Sequence, residues 1–194
     1  RVLFRSLGAR IRLDGEGRVE SIEVKDYQVN AGALREFASY PALRELELCD
    51  HRLTAEELEA LGGLSPLREL HLHDAAPDDD GYESLASLTG LESLCLLRPG
   101  SRGPGLTRLK NLPRLETLIL DVDADRVEAH LVALKSWKAL RALFLSRCDL
   151  PGHALATVAS LKQIERLGLD GNPLRDDDLA PLAGLKGLKW LDLE

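Results

Sequence analysis

Methionine is absent, aromatic residues make up only 4% of the chain, and cysteine occurs three times in 194 residues. With so few rings, any core must be aliphatic, and leucine is the residue available to build it. An odd, scattered set of thiols (Cys49, Cys95 and Cys148) excludes a disulfide framework and points to a reducing, cytoplasmic compartment. No apolar run approaches the roughly 18 residues needed to span a bilayer. Positive charge is also scarce, with 25 basic against 32 acidic side chains and a net charge of −7. That balance excludes a protein that holds nucleic acid by its phosphates, and one that docks on an anionic membrane surface. No secretory leader opens the sequence, which begins at Arg1 and leaves room for a removed segment.

What is present is a phase. A pattern L-x-x-L-x-L opens at Val19, Leu43, Leu67, Leu91, Leu115, Leu140, Ile164 and Leu188, at intervals of 24, 24, 24, 24, 25, 24 and 24. Within each unit the second and third apolar positions stand two residues apart, as in Leu46/Leu48 and Leu70/Leu72. That is the period of a strand with one buried face. Apolar residues spaced by three follow, such as Leu58, Leu61 and Leu64 or Leu131, Leu134 and Trp137, which is the spacing of a helical return. A unit of this size cannot bury its own leucines, so units must stack. The expected fold is an α/β solenoid of about eight repeats. It has a curved parallel β-sheet on the concave face and helices or 3-10 segments on the convex face.

Local signals fit that plan. Thr54-Ala-Glu-Glu57 is a capping box, and the triplets Asp78–Asp80 and Asp176–Asp178 sit where helix starts attract negative charge. Asp121-Val-Asp-Ala-Asp125 lacks the glycine and final glutamate of a calcium loop, so it reads as a solvated rim. Gly100, Gly103, Pro104 and Gly105 predict a poor helix in the fourth unit, and the extra residue of the fifth unit falls between Leu120 and Leu131. Residues 1–18 read as an N-terminal cap: a helix around Val2–Leu7, then a strand through Ile11 and Leu13 that turns at Asp14–Gly17 into Val19. Residues 19–194 form the repeat domain. The eighth strand meets the last residue, Glu194, and is expected either to continue into more chain or to pair with something.

The motif resembles the bacterial leucine-rich repeats of 24-residue period, within the ribonuclease-inhibitor-like leucine-rich-repeat superfamily. Leu53-Thr-Ala-Glu-Glu-Leu58 and Leu174-Arg-Asp-Asp-Asp-Leu179 look like degenerate copies of that family's helical half. The resemblance implies protein recognition on a curved scaffold without naming a partner. In that family an asparagine bonds the turn backbone. Here the position holds Asn172 once, and otherwise Tyr27, His51, Ala75, Pro99, Asp123 and Cys148, which predicts an irregular rim.

On the strands, the residues between the leucines face solvent, and neighbours in a column stand about 4.8 Å apart. One column runs Glu23, Glu47, His71, Cys95, Ile119, Phe144, Gly168, Asp192. The next runs Lys25, Cys49, His73, Leu97, Asp121, Ser146, Asp170, Glu194. Cys95, Leu97, Ile119 and Phe144 therefore predict an apolar patch exposed to water, bordered by Glu47, Cys49, His71 and His73. An apolar centre with a polar rim is the anatomy of a protein interface. The expected role is a non-enzymatic module that binds a protein partner through these eight residues, without a cofactor.

Other readings of the same residues are weaker. Cys49, His71, His73 and Cys95 offer donors suited to zinc, although a sheet tends to spread side chains apart, and a Glu47–His71 cross-strand pair explains the histidine more simply. A Cys49–His73 catalytic pair lacks a third orienting group. Self-association through the eighth strand, with Trp190 and Trp137 nearby, is the structural alternative.

Overall fold

Alternating leucines force one face of each short strand out of water, and the next unit supplies the surface that covers it. In the computed structural model, which describes residues 4, 6–25, 29–50, 52–74, 81–97, 105–109, 112–121 and 124–194, this yields one nine-stranded sheet in simple sequence order. The strands are β1 (Arg10–Leu13), β2 (Val19–Val24), β3 (Glu45–Cys49), β4 (Glu69–His73), β5 (Ser93–Leu97), β6 (Thr117–Asp121), β7 (Ala142–Phe144), β8 (Arg166–Gly168) and β9 (Trp190–Asp192). From β2 onward every pairing is parallel. Equivalent leucines stand opposite one another, for example Leu46↔Leu70 and Leu70↔Leu94. The single inserted residue lies between β6 and β7, where Leu118 still faces Leu143.

β1 pairs antiparallel with β2, opposing Ile11 to Ile22, after a turn in which Asp14 accepts from the amides of Glu16 and Arg18. The helix read around Val2–Leu7 lies largely outside the described residues. Phe4 and Leu7 are buried there, and the Phe4 ring lies 6.3 Å from Phe37 and 5.5 Å from Tyr40.

The convex returns are α1 (Ala31–Phe37), α2 (Ala55–Gly62), α3 (Tyr82–Leu85), α4 (Ala124–Leu134) and α5 (Leu155–Val158), with 3-10 segments at Gly105–Leu109, Gly152–Ala154 and Asp176–Gly184. Among the described residues, the glycine-rich fourth unit shows a 3-10 turn at Gly105–Leu109 and no α-helix. The fifth unit, with its extra residue, has the longest helix. The Thr54 capping box is present: Thr54 Oγ1 accepts from the Glu57 amide at 3.3 Å, and Glu57 Oε2 accepts from the Thr54 amide at 2.8 Å. At the last segment Asp178 accepts from the Arg175 amide at 2.8 Å. Asp78–Asp80 and the glycines before Gly105 lie outside the described residues.

Strand leucines and helical leucines meet in one continuous aliphatic core, with Leu46, Leu70, Leu118, Leu143 and Leu167 fully buried. Each such side chain contributes about 1.5–3 kcal/mol by leaving water. Trp137 belongs to this core rather than to the solenoid's end. It is buried, and its indole N–H donates to the Leu109 carbonyl at 3.0 Å, so it is not available to mediate self-association. A second, polar device runs along the convex edge. The Arg44 guanidinium donates to the carbonyls of Leu43 and Pro66, and that of Arg68 to Leu67 and Gly90. Each arginine thereby ties the start of its own unit to that unit's last residue, just before the next strand begins.

Among the described residues the rim keeps one recurrent feature. The residue that follows each strand segment is left-handed at Asp50 (φ 55°), Asp74 (φ 51°), Arg147 (φ 55°) and Gly171 (φ 68°). Its amide continues the ladder to the next unit, from Asp50 to His73, Asp74 to Leu97, Arg147 to Asp170 and Gly171 to Glu194. Asp and Gly tolerate this backbone, whereas an arginine is strained by it. Asn172 behaves as the family resemblance implies. Its Oδ1 accepts from the amides of Cys148 and Leu150 at 3.1 and 2.9 Å, and its Nδ2 donates to the carbonyls of Leu145 and Leu169 at 2.7 Å each. One unit earlier, the buried Cys148 thiol donates to the Leu120 carbonyl at 3.2 Å, a weaker version of the same stitch. Tyr27, His51, Ala75, Pro99 and Asp123 lie outside the described residues.

Candidate functional site

Parallel pairing without register slips lines up the outward residues as columns. Glu23, Glu47, His71, Cys95, Ile119, Phe144, Gly168 and Asp192 are successive partners from β2 to β9. Cys49, His73, Leu97 and Asp121 form the adjacent column. A third column, which the sequence reading passed over, runs Ser21, Glu45, Glu69, Ser93, Thr117, Ala142, Arg166, Trp190.

These columns divide the trough into three chemical zones. The first is charged and lies on β1 to β4. Arg12 reaches Glu20 at 2.7 Å and Glu45 at 2.6 Å, and Lys25 pairs with Glu23 at 2.7 Å. Beside them Glu47 Oε1 accepts from the Cys49 thiol at 3.5 Å.

The second zone holds the histidines and thiols. The His71 and His73 rings are 6.3 Å apart, and His73 Nε2 lies 4.0 Å from Cys95 Sγ. Their donor atoms converge rather than spread. Those of His71, His73 and Cys95 lie within 4.8 Å of one another, and a second such group comprises Glu47, Cys49 and His73. Cys49 therefore clusters with a carboxylate and shares only His73 with the group that contains Cys95. Burial pushes the Cys49 thiol up to about 11, with the Glu47 charge and its hydrogen bond adding to the effect. Burial likewise pushes Cys95 up to about 12, helped by the charges of Glu47 and Asp121. Both shifts favour the protonated thiol, the opposite direction from the lowered value of an activated cysteine nucleophile.

The third zone is apolar, and it differs from the expected exposed patch. Cys95 is buried, at 3% relative exposure. A short thiol between longer neighbours on closely spaced strands sits below the surface those neighbours define. Leu97, Ile119 and Phe144 are each half-buried. Phe144 turns toward the C-terminal strands because Gly168, its partner on β8, has no side chain to exclude it: a Cβ there would stand 2.6 Å from the ring. Phe144 then meets Trp190 at 5.7 Å, and the Arg166 guanidinium lies 5.5 Å from one ring and 5.6 Å from the other. Cation–π contacts of this kind contribute about 0.5–1 kcal/mol at exposed sites. Arg166 and Trp190 extend the strip, and reading the third column would have found them.

Leu191 and Leu193 of the last unit are exposed at 40% and 43%, where equivalent leucines elsewhere are buried. No helix among the described residues is long and apolar enough to cross a membrane.

No family model matches the chain, and no curated protein matches it. Among solved structures, an internalin from Listeria monocytogenes is similar at 19% identity and a TM-score of 0.47, over 89% of this chain and 52% of that one. The chain thus spans about half the length of that structure. The strand order, registers and convex returns themselves define the α/β leucine-rich-repeat solenoid.

Proposed function

We propose that this chain is a non-enzymatic recognition module of the 24-residue bacterial repeat class, and that it binds a protein partner through its concave face. The observation that carries the reading is the half-buried strip formed by Leu97, Ile119 and Phe144 and continued by Trp190. A charged and histidine-bearing margin of Glu47, Cys49, His71 and His73 flanks it on β3 and β4. Apolar side chains held half-open on a rigid sheet gain from burial against a partner and cost little ordering entropy. Aromatic and arginine side chains are the residue types that dominate such interfaces. The net negative charge favours a protein over a nucleic acid as the ligand.

The test compares Ile119→Asp and Phe144→Ala with the parent chain in partner capture, with thermal melting run in parallel. Loss of capture at an unchanged midpoint supports the reading, and equal capture by all three removes it.

A further inference from the structure

Two imidazoles and one thiol meet on β4 and β5 outside the apolar strip. His71 and His73 are alternate residues of β4, and Cys95 faces His71 across the pair of strands. All three donor atoms fall within 4.8 Å of one another, with His73 Nε2 and Cys95 Sγ 4.0 Å apart. Around a tetrahedral zinc ion, with bonds of about 2.0 Å to nitrogen and 2.3 Å to sulfur, neighbouring nitrogen and sulfur donors stand about 3.6 Å apart. The set is therefore wider than a closed site by about 0.4 Å for the His73–Cys95 pair and by at most about 1.5 Å for any pair, which side-chain rotations supply. His71 Nε2 has no hydrogen-bond partner, and its ion-pair contact with Glu69 is long, at 3.9 Å, so the ring is open to a ligand.

We infer that His71, His73 and Cys95 bind one zinc-class divalent metal ion on the concave face. The donor set chooses the metal, because imidazole and thiolate suit zinc, whereas calcium and magnesium require oxygen. Glu47, opposite His71 and grouped with Cys49 and His73, supplies negative charge beside the ion and a donor for the fourth position. Glu45, Glu69 and His71 also lie close together, but Arg12 already engages Glu45 at 2.6 Å, and that group has no thiol. Ligation replaces the thiol proton with the metal, so binding releases a proton. The cluster lies in the margin of the proposed partner surface, but its test reads metal rather than partner, so either reading can fail while the other stands.

The test titrates tag-free protein with zinc in a calorimeter and with cobalt(II) in a spectrophotometer. One zinc per chain is expected, together with a sulfur-to-cobalt charge-transfer band and the intense visible bands of a tetrahedral ion. Cys95→Ser removes the charge-transfer band, His73→Ala weakens zinc by at least roughly tenfold, and Cys148→Ser leaves both signals in place. Circular dichroism confirms that each variant is folded, and if Cys95→Ser does not fold, His71→Ala and His73→Ala carry the test. Absence of saturable micromolar binding overturns the inference, as does a charge-transfer band that survives Cys95→Ser or vanishes in Cys49→Ser.

Discussion

The Phe144 ring occupies the space that a side chain at Gly168 would fill, 2.6 Å from where the Cβ would stand. The glycine on β8 therefore sets the direction of the aromatic ring on β7 and, through it, the contact with Trp190. Gly168→Ala is expected to displace the ring rather than break the sheet, at a cost of about 1–3 kcal/mol. Chemical denaturation measures that cost. Trp190 emission should change at the same time, while the buried Trp137 should not respond. An unaltered spectrum would show that the ring is not held by this gap.

Asn172 satisfies two amides and two carbonyls of the turns in the last units. Asn172→Ala leaves these groups without their partner, and each unsatisfied buried group costs about 1–3 kcal/mol. A loss of roughly 3 kcal/mol or more is expected in a denaturant titration. Cys148→Ala, which removes one thiol donor to the Leu120 carbonyl, should cost clearly less. Equal losses would mean that the two positions are not graded versions of one stitch.

Much of this was legible in the residues, for a physical reason. Every unit repeats the same burial problem, so the leucine phase alone places the strands, the returns and the outward columns. The rim was harder to read. Asp50, Asp74, Arg147 and Gly171 share a left-handed backbone but no residue type, so no pattern announces the ladder they continue. The site was half legible. The columns were correct, yet exposure depends on neighbour length, which is why Cys95 lies buried where an exposed thiol was expected. The role of Arg166 and Trp190 depends on an empty position at Gly168, which a list of side chains does not display.

Arg147 adopts φ 55°, where a side chain is strained and glycine is not. Arg147→Gly should therefore be tolerated or stabilising by up to about 1 kcal/mol, despite removing a long side chain. The melting temperature is the readout, and a large loss would place the weight of Arg147 in its side chain.

Burial holds the thiols of Cys49 and Cys95 up to about 11 and about 12. The folded chain thus binds these protons more tightly than the unfolded chain, whose thiols titrate near 8.5. The contribution is fully present below that value, and it is lost as pH rises through about 9 toward 11 and 12. At pH 8, alkylation of both thiols is expected to run at least roughly a hundredfold slower than that of free cysteine. The denaturation midpoint should fall as pH rises above about 9. Alkylation as fast as that of free cysteine would show that these thiols are neither buried nor held protonated.

The most direct measurement of concave-face recognition is site-specific photocrosslinking. A photoreactive residue replaces Ile119 in the trough, and a control replaces Glu59 on the convex helix α2. The expected result is one partner band from position 119 that Phe144→Ala reduces by roughly 30-fold, the weight of an interface hot spot, with no such band from position 59. The same band from both positions, or a band from position 119 that is indifferent to Phe144→Ala, would contradict recognition through the concave face.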